Sequence, residues 1–161
     1  MDASLHNRLI VCVLAVALAL AMAVMLPRAT SAAPPVPVDR PGEVIEGECD
    51  FPVLFEVSGK EKVIVTGNGN TIITSPGLRA TLTNLDEPTN QVTLNITGTV
   101  RVQEQANGDV VYVFRGRNLL YGPDVDLILT IGRFTGTETA EGEFSPLTGN
   151  GRIIDVCALL E

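Results

Sequence analysis

The chain has 161 residues with 19 acidic and 11 basic side chains, so its net charge at pH 7 is −8. This charge predicts a soluble surface and argues against nucleic acids and anionic membranes as partners. The sequence contains a single histidine, His6, which precedes the region that is expected to fold.

The N-terminal segment has the pattern of a secretory signal peptide. An apolar run over residues 9–26 follows Arg8, and small residues around Ala32 suit cleavage. We therefore predict a signal peptide over residues 1–32 and a secreted protein with no membrane contact after cleavage. An apolar run of this length also reaches the lower limit for a membrane-spanning helix, so an N-terminal membrane anchor is the alternative.

Removal of residues 1–32 would take away the histidine and leave 129 residues, enough for one domain. It would also change the net charge from −8 to −9, because one acidic and two basic side chains are lost. Ser-His-Asp and Cys-His catalysis both need an imidazole as proton carrier. Zinc, copper and non-haem iron sites commonly use histidine or thiolate ligands. We therefore expect no cofactor and neither of these kinds of catalysis.

Residues 33–48 are rich in proline, which fixes φ and disfavours helix at the preceding residue. This composition predicts an extended, semi-rigid N-terminal segment that acts as a tether ahead of a β domain over residues 49–161. Disorder at a chain terminus is the alternative interpretation.

From residue 49 onward, apolar side chains recur with the period of two that is typical of half-buried strands. Odd positions over residues 51–57 form one apolar face, and Val63 with Val65 predicts a second apolar row. Even positions over residues 78–82 are expected to face the core. Residues 110–114 are apolar on both faces, which predicts a central strand.

Two further segments have distinctive patterns. Residues 92–102 keep apolar side chains at every even position except Gly98, which predicts one long strand that curves at the glycine. Residues 135–146 are poor in apolar side chains, which predicts a long loop or an exposed hairpin. The closing strand follows the turn Gly149-Asn150-Gly151.

Because no helical periodicity occurs after Gly42, the predicted fold is all-β. We expect about eight to ten short antiparallel strands, connected mostly by hairpins. Cys49 and Cys157 lie at the two ends of this region and are predicted to form a disulfide between the first and last strands. Such strands become neighbours when a sheet closes, so we prefer a single β-barrel to a flattened β-sandwich, which remains the alternative.

The most distinctive polar group comprises Tyr112, Arg115, Arg117 and Tyr121. Arginine binds carboxylates or phosphates bidentately, and a tyrosine can donate to a carbonyl oxygen in the mouth of a barrel. We therefore name these four residues as candidate ligand-binding residues. The alternative is that the arginines are surface side chains that balance an acidic protein.

Two acidic groups are weaker candidates. Asp124 and Asp126 are a possible calcium site, although a solvated strand entry is the simpler interpretation because no full calcium-binding loop accompanies them. Glu138, Glu141 and Glu143 could include the acid pair of a glycosidase, which requires defined separations across one cleft. A solvated loop is the simpler interpretation here too.

Six segments have a distinctive sequence: Cys49–Val53, Ser75–Leu78, Thr81–Leu85, Val92–Gly98, Gly116–Leu120 and Ile153–Cys157. They resemble a group of small secreted proteins from actinobacteria. The resemblance covers nearly all of the chain after residue 32 and implies an exported β domain from such a bacterium, without implying an activity. A second resemblance, to allene oxide cyclase-like and dirigent barrels, concerns architecture alone.

Two functions follow as hypotheses. The first is an exported extracellular or cell-envelope β domain with a non-catalytic structural or binding role, whose partner is a protein, a glycan or a small molecule. The alternative is a small-molecule-binding or cyclase-like barrel enzyme that acts on an apolar substrate. An interior filled by side chains would exclude the alternative, whereas a cavity of several hundred Å³ reached by an arginine or a tyrosine would support it.

Overall fold

A computed structural model describes residues 33–122 and 124–161, excluding the side chain of Pro41. Nine strands and one short 3₁₀ helix make up the regular structure of these residues. The strands are β1 (Val36–Ile45), β2 (Val53–Val65), β3 (Thr71–Thr74), β4 (Arg79–Asn84), β5 (Gln91–Asn95), β6 (Gly98–Glu104), β7 (Val110–Gly122), β8 (Val125–Glu138) and β9 (Thr148–Asp155). The helix spans Cys157–Leu159. The all-β prediction is confirmed.

The predicted signal peptide, and the anchor that is its alternative, lie outside the described residues. Within residues 33–122 and 124–161, no helix is long and apolar enough to cross a membrane.

The proline-rich N-terminal segment forms a strand of the sheet, so it does not act as the predicted tether. β1 pairs antiparallel with β2 at eight positions, from Val36 opposite Glu61 to Ile45 opposite Val53. β1 pairs with this strand alone among the described residues. An edge position tolerates a proline such as Pro37, because a missing N–H then leaves no gap in a second ladder.

The strands form one antiparallel ladder that is folded into two layers sharing β2. The first half of β2 pairs with β1 on one side and β4 on the other, and β4 pairs with β5. The second half of β2 pairs with β3, and the ladder continues through β6, β7 and β8 to β9. The chain therefore changes layer between β3 and β4 and again between β5 and β6. The other six pairs of consecutive strands are antiparallel neighbours, so the prediction of mostly hairpin connections is confirmed.

Three predictions about individual segments need correction. Residues 92–102 form two strands in different layers, because pairing stops at Ile96 and resumes at Gly98. The predicted turn at residues 149–151 lies within β9, where these residues pair with residues 132–134 of β8. Residues 135–146 form the hairpin that was predicted as the alternative to a long loop, with Glu138 opposite Phe144. Val63 and Val65 do not enter the core, since their exposed fractions are 57% and 71%.

The main core lies between the first layer and one end of the second layer, which comprises the second half of β7, the first half of β8 and the end of β9. Burial of Val53, Phe55 and Val57 confirms the predicted inward face of β2, and Leu82 and Ala80 of β4 are fully enclosed. Full burial of a valine, leucine or phenylalanine side chain contributes about 1.5–3 kcal/mol. The other buried members of the cluster are Ile45, Leu78, Ile96, Leu127, Leu129, Val156 and Leu160.

The sheet is not closed into a ring, which favours the flattened sandwich over the barrel. Among the described residues, β5 pairs only with β4 and β9 only with β8. The predicted Cys49–Cys157 disulfide is present, with a Cα–Cα distance of 5.5 Å. It joins the segment before β2 to the 3₁₀ helix after β9, so it connects the two layers without requiring that strands pair.

The C-terminal segment is held in place by hydrogen bonds as well as by the disulfide. The backbone N–H of Val156 donates to the carbonyl of Leu127 at 3.0 Å. The buried Asn84 side chain donates to the carbonyl of Leu160 at 3.1 Å. These contacts place Leu160 in the core and fasten the end of the chain across both layers.

Candidate functional site

The β7–β8 hairpin is strongly curved, and the candidate site lies on its inner side. If β8 were straight, its 14 residues would span about 45 Å. The six residues that follow could return at most about 20 Å. Yet Asp124, just before β8, accepts a hydrogen bond at 3.1 Å from the backbone N–H of Phe144. The two ends of the hairpin therefore come close together.

A row of glycines crosses four strands at the middle of this curve. Gly98 pairs with Gly116, Gly116 with Gly132, and Gly132 with Gly151. Gly132 has φ of +140°, and a Cβ there would lie 2.8 Å from the Cα of Gly151. Glycine in a strand marks bends and close backbone approaches, so this row permits the sheet to curve and the strands to meet without side chains between them.

The curve encloses an apolar cleft with a volume of about 410 Å³. Ligand pockets commonly have volumes of roughly 300–1,000 Å³, so this cleft lies in the range for a small molecule. Its floor comes from β3, β6 and β7, where register places Val102 opposite Tyr112 and Val100 opposite Phe114. The remaining lining residues are Ile73, Leu119, Leu120, Tyr121, Gly122, Asp124, Val125, Glu138, Gly142 and Phe144.

The polar feature of the cleft is a hydrogen-bonded pair. The hydroxyl of Tyr112 donates to Oε2 of Glu138 at 2.7 Å. Burial raises the pKa of Tyr112 to about 12, and the hydrogen bond to Glu138 and the charge of that carboxylate add to the effect. Tyr112 is therefore a fixed hydrogen-bond donor at neutral pH and not a proton acceptor.

Two further aromatic rings pack against the ring of Tyr112. The rings of Tyr112 and Phe114 are nearly parallel, with centroids 6.1 Å apart, and Phe144 lies 5.9 Å from Tyr112 at 44°. Phe144 comes from the loop after β8 and lies over Gly136, where any Cβ would collide with its ring. The absence of a side chain at Gly136 thus makes the space that Phe144 occupies at the rim.

Tyr121 connects the cleft to the main core. Its ring meets that of Phe55 edge-to-face, with centroids 5.6 Å apart. Burial raises the pKa of Tyr121, and the charge of Glu43 raises it further while that of Arg40 lowers it. Tyr121 is 41% exposed, so it forms the outer wall of the cleft.

The structure brings two of the four predicted ligand-binding residues together at this cleft. Tyr112 and Tyr121 line it, whereas Arg115 and Arg117 are exposed and are not among the lining residues. Arg115 pairs with Arg133 in the ladder, and its odd position places it on the sheet face opposite Tyr112.

The acidic residues that were weaker candidates also lie at different places in the structure. Asp124 lines the main cleft, and with Asp126 it lines a second, smaller cleft of about 250 Å³. No group of three or more histidine, cysteine, aspartate or glutamate residues placed to share a metal ion occurs among the described residues. Glu138 lies at the end of β8 within the cleft, whereas Glu141 and Glu143 are exposed in the following loop.

Sequence reasoning missed the role of Phe144 and the pairing of Glu138 with Tyr112. The available signal for Phe144 was that it is the lone aromatic residue after Phe134 in a polar segment. No signal in the sequence pointed to the Glu138 contact, because it depends on β8 continuing beyond residue 134.

No family model, curated protein or solved structure matches this chain.

Proposed function

We propose that this protein is an exported domain that binds a small apolar molecule, without transforming it, in the cleft inside the β7–β8 hairpin. The observation that carries the proposal is the cleft itself, whose volume of about 410 Å³ is bounded mainly by apolar and aromatic side chains. Sites of this kind combine an apolar wall with a few placed polar groups, here Tyr112 and Glu138.

Export is supported by the disulfide and by the signal-like N-terminal sequence. Disulfides persist in oxidising compartments outside the cytoplasm. The resemblance to small secreted actinobacterial proteins is in keeping with this localisation. Expression of the full chain with a C-terminal tag, followed by mass measurement of the protein from the medium, tests it. Protein that stays in the cytoplasm with residues 1–32 attached would contradict export.

Binding is tested with Nile red, an uncharged dye whose emission shifts when it enters an apolar site. Val102 lines the floor of the cleft, so Val102→Trp would fill part of its volume. Leu159 is apolar, 49% exposed and outside the cleft, which makes Leu159→Trp the matched control. We expect the dye to bind the unchanged chain and the control, and to bind Val102→Trp at least tenfold more weakly. Equal binding by all three proteins would refute the site.

The cyclase-like enzyme is a second candidate, and the tyrosine within an apolar cleft favours it. In that case Tyr112 would donate a hydrogen bond to the reacting molecule, since its high pKa keeps the proton in place. Chromatography of a cleft-bound molecule recovered after incubation distinguishes the candidates. Conversion by the unchanged chain that Tyr112→Phe abolishes would establish the enzyme, whereas unchanged recovery from both supports binding alone.

A further inference from the structure

The charged groups of the cleft all have one sign. Glu138 and Asp124 are the charged side chains among the described residues that line it, and both are carboxylates. Arg115 and Arg117, which were candidates for binding an anion, are exposed outside the cleft. An anionic ligand would therefore meet two like charges on the lining, whereas Arg40, whose charge reaches Tyr121, is not itself a lining residue.

Each carboxylate is held by one oxygen. Tyr112 donates to Oε2 of Glu138, and the backbone N–H of Phe144 donates to Oδ2 of Asp124. Among the described residues, no further hydrogen bond reaches Oε1 of Glu138 or Oδ1 of Asp124. Each side chain is thus oriented by one contact and retains an oxygen that can accept a proton donor from a ligand.

The residues that hold the two carboxylates are both aromatic. Tyr112, Phe114 and Phe144 form one cluster, in which neighbouring centroids are 5.9 and 6.1 Å apart. The face of an aromatic ring carries negative partial charge and attracts cations, with a gain of about 0.5–2 kcal/mol that grows as the site loses water. Rings and carboxylates therefore favour the same sign of ligand charge.

We propose that the ligand of this cleft is an amphiphilic cation, an apolar body with a protonated amine that donates to Glu138. The inference rests on the proposed binding function and specifies its ligand class. The apolar floor of Val100, Val102 and Ile73 holds the body of the ligand. A charged group that leaves water needs both pairing and hydrogen bonds, and Glu138 with the adjacent rings supplies them.

The test compares three probes that share an eight-carbon chain, octylammonium, octanol and octanoate, by titration calorimetry of the full chain at neutral pH. We expect octylammonium to bind at least tenfold more tightly than octanol, and octanoate to bind most weakly. Glu138→Gln keeps the size of the side chain and removes its charge, so it should bring octylammonium to the affinity of octanol. Glu56→Gln removes one charge from an exposed position of β2 and should change nothing.

The possible failures are distinguishable. If octanol binds as tightly as octylammonium, the cation inference is overturned and the apolar binding function stands. If octylammonium binds Glu138→Gln and the unchanged chain equally, the cation is not held by Glu138, which also overturns the inference. If no probe binds and Nile red also fails to bind, both proposals are overturned. Asp124→Asn, which keeps an acceptor for the Phe144 N–H, provides a second variant should Glu138→Gln melt at a lower temperature.

Discussion

The glycine row can be tested by adding one methyl group where strands β8 and β9 meet. Gly151 and Gly122 have the same φ of +150°, so alanine at either position carries the same backbone strain. The surroundings differ, because a Cβ at Gly151 would collide with the carbonyl oxygen of Ile131 and lie 2.9 Å from the Cα of Gly132. A Cβ at Gly122 would have nothing within 4 Å. Gly122→Ala is therefore the matched control for Gly151→Ala.

The magnitude follows from these two contributions. Strained φ values of this kind cost of order 1–3 kcal/mol in both variants. Forcing a methyl group between packed strands costs about 1–3 kcal/mol more, and Gly151→Ala alone bears this cost. An unfolding entropy of about 2.1 cal/mol/K per residue gives roughly 0.27 kcal/mol/K for residues 33–161. Gly151→Ala should therefore melt about 4–11 °C below Gly122→Ala.

Thermal unfolding followed by circular dichroism measures this difference. Equal melting temperatures for the two variants would show that the close approach of the strands at the glycine row places no steric limit on the residue at position 151. The curvature of the β7–β8 hairpin would then need a different cause.

Three further outcomes are expected. Replacing Cys49 and Cys157 together with alanine opens a loop whose ends are 108 residues apart. The free energy of unfolding should fall by about 4–5 kcal/mol and the melting temperature by roughly 15–18 °C, and an unchanged melting curve would refute this. In Tyr121→Phe, where Tyr112 is the remaining tyrosine, tyrosinate absorbance should titrate near pH 12. The pKa of Tyr112 in the folded state is raised above 10.0, so the contribution of Tyr112 to folding stability should be complete below pH 10 and be lost towards pH 12. A titration midpoint at pH 10 would exclude the hydrogen bond to Glu138. Phe144→Ala removes a ring from the rim, so Nile red affinity should fall by about 1 kcal/mol, the contribution of an aromatic pair; an unchanged affinity would place the dye elsewhere.

The sequence alone predicted the fold class, the inward faces of β2 and β4 and the central position of β7. Alternation over residues 51–57 and 78–82 predicted inward faces that are buried, because a half-buried strand exposes every second side chain to one environment. The apolar run at residues 110–114 correctly predicted a central strand, since β7 pairs on both sides. The disulfide was predicted from the placement of Cys49 and Cys157 near the two ends of the β region.

The tertiary structure decided which layer each strand joins and where the curve lies. Alternation is the same on either side of Ile96, so the sequence could not reveal that pairing stops there and resumes in the other layer. The edge strand β1 was hidden by its prolines, which an edge tolerates and a central strand does not. Both outcomes depend on partners that are distant in the chain.

The candidate site shows the same division most clearly. Tyr112 and Tyr121 were recognisable as polar groups near apolar strands, and parity separates Tyr112 from Arg115. Tyr112 meets Glu138 because the antiparallel register of β7 and β8 extends to Val110 opposite Glu138. Phe144 reaches the same ring because the loop after β8 returns over Gly136. Sequence fixes the face on which a side chain stands, whereas a cleft requires the curvature of several strands together, which only the folded sheet provides.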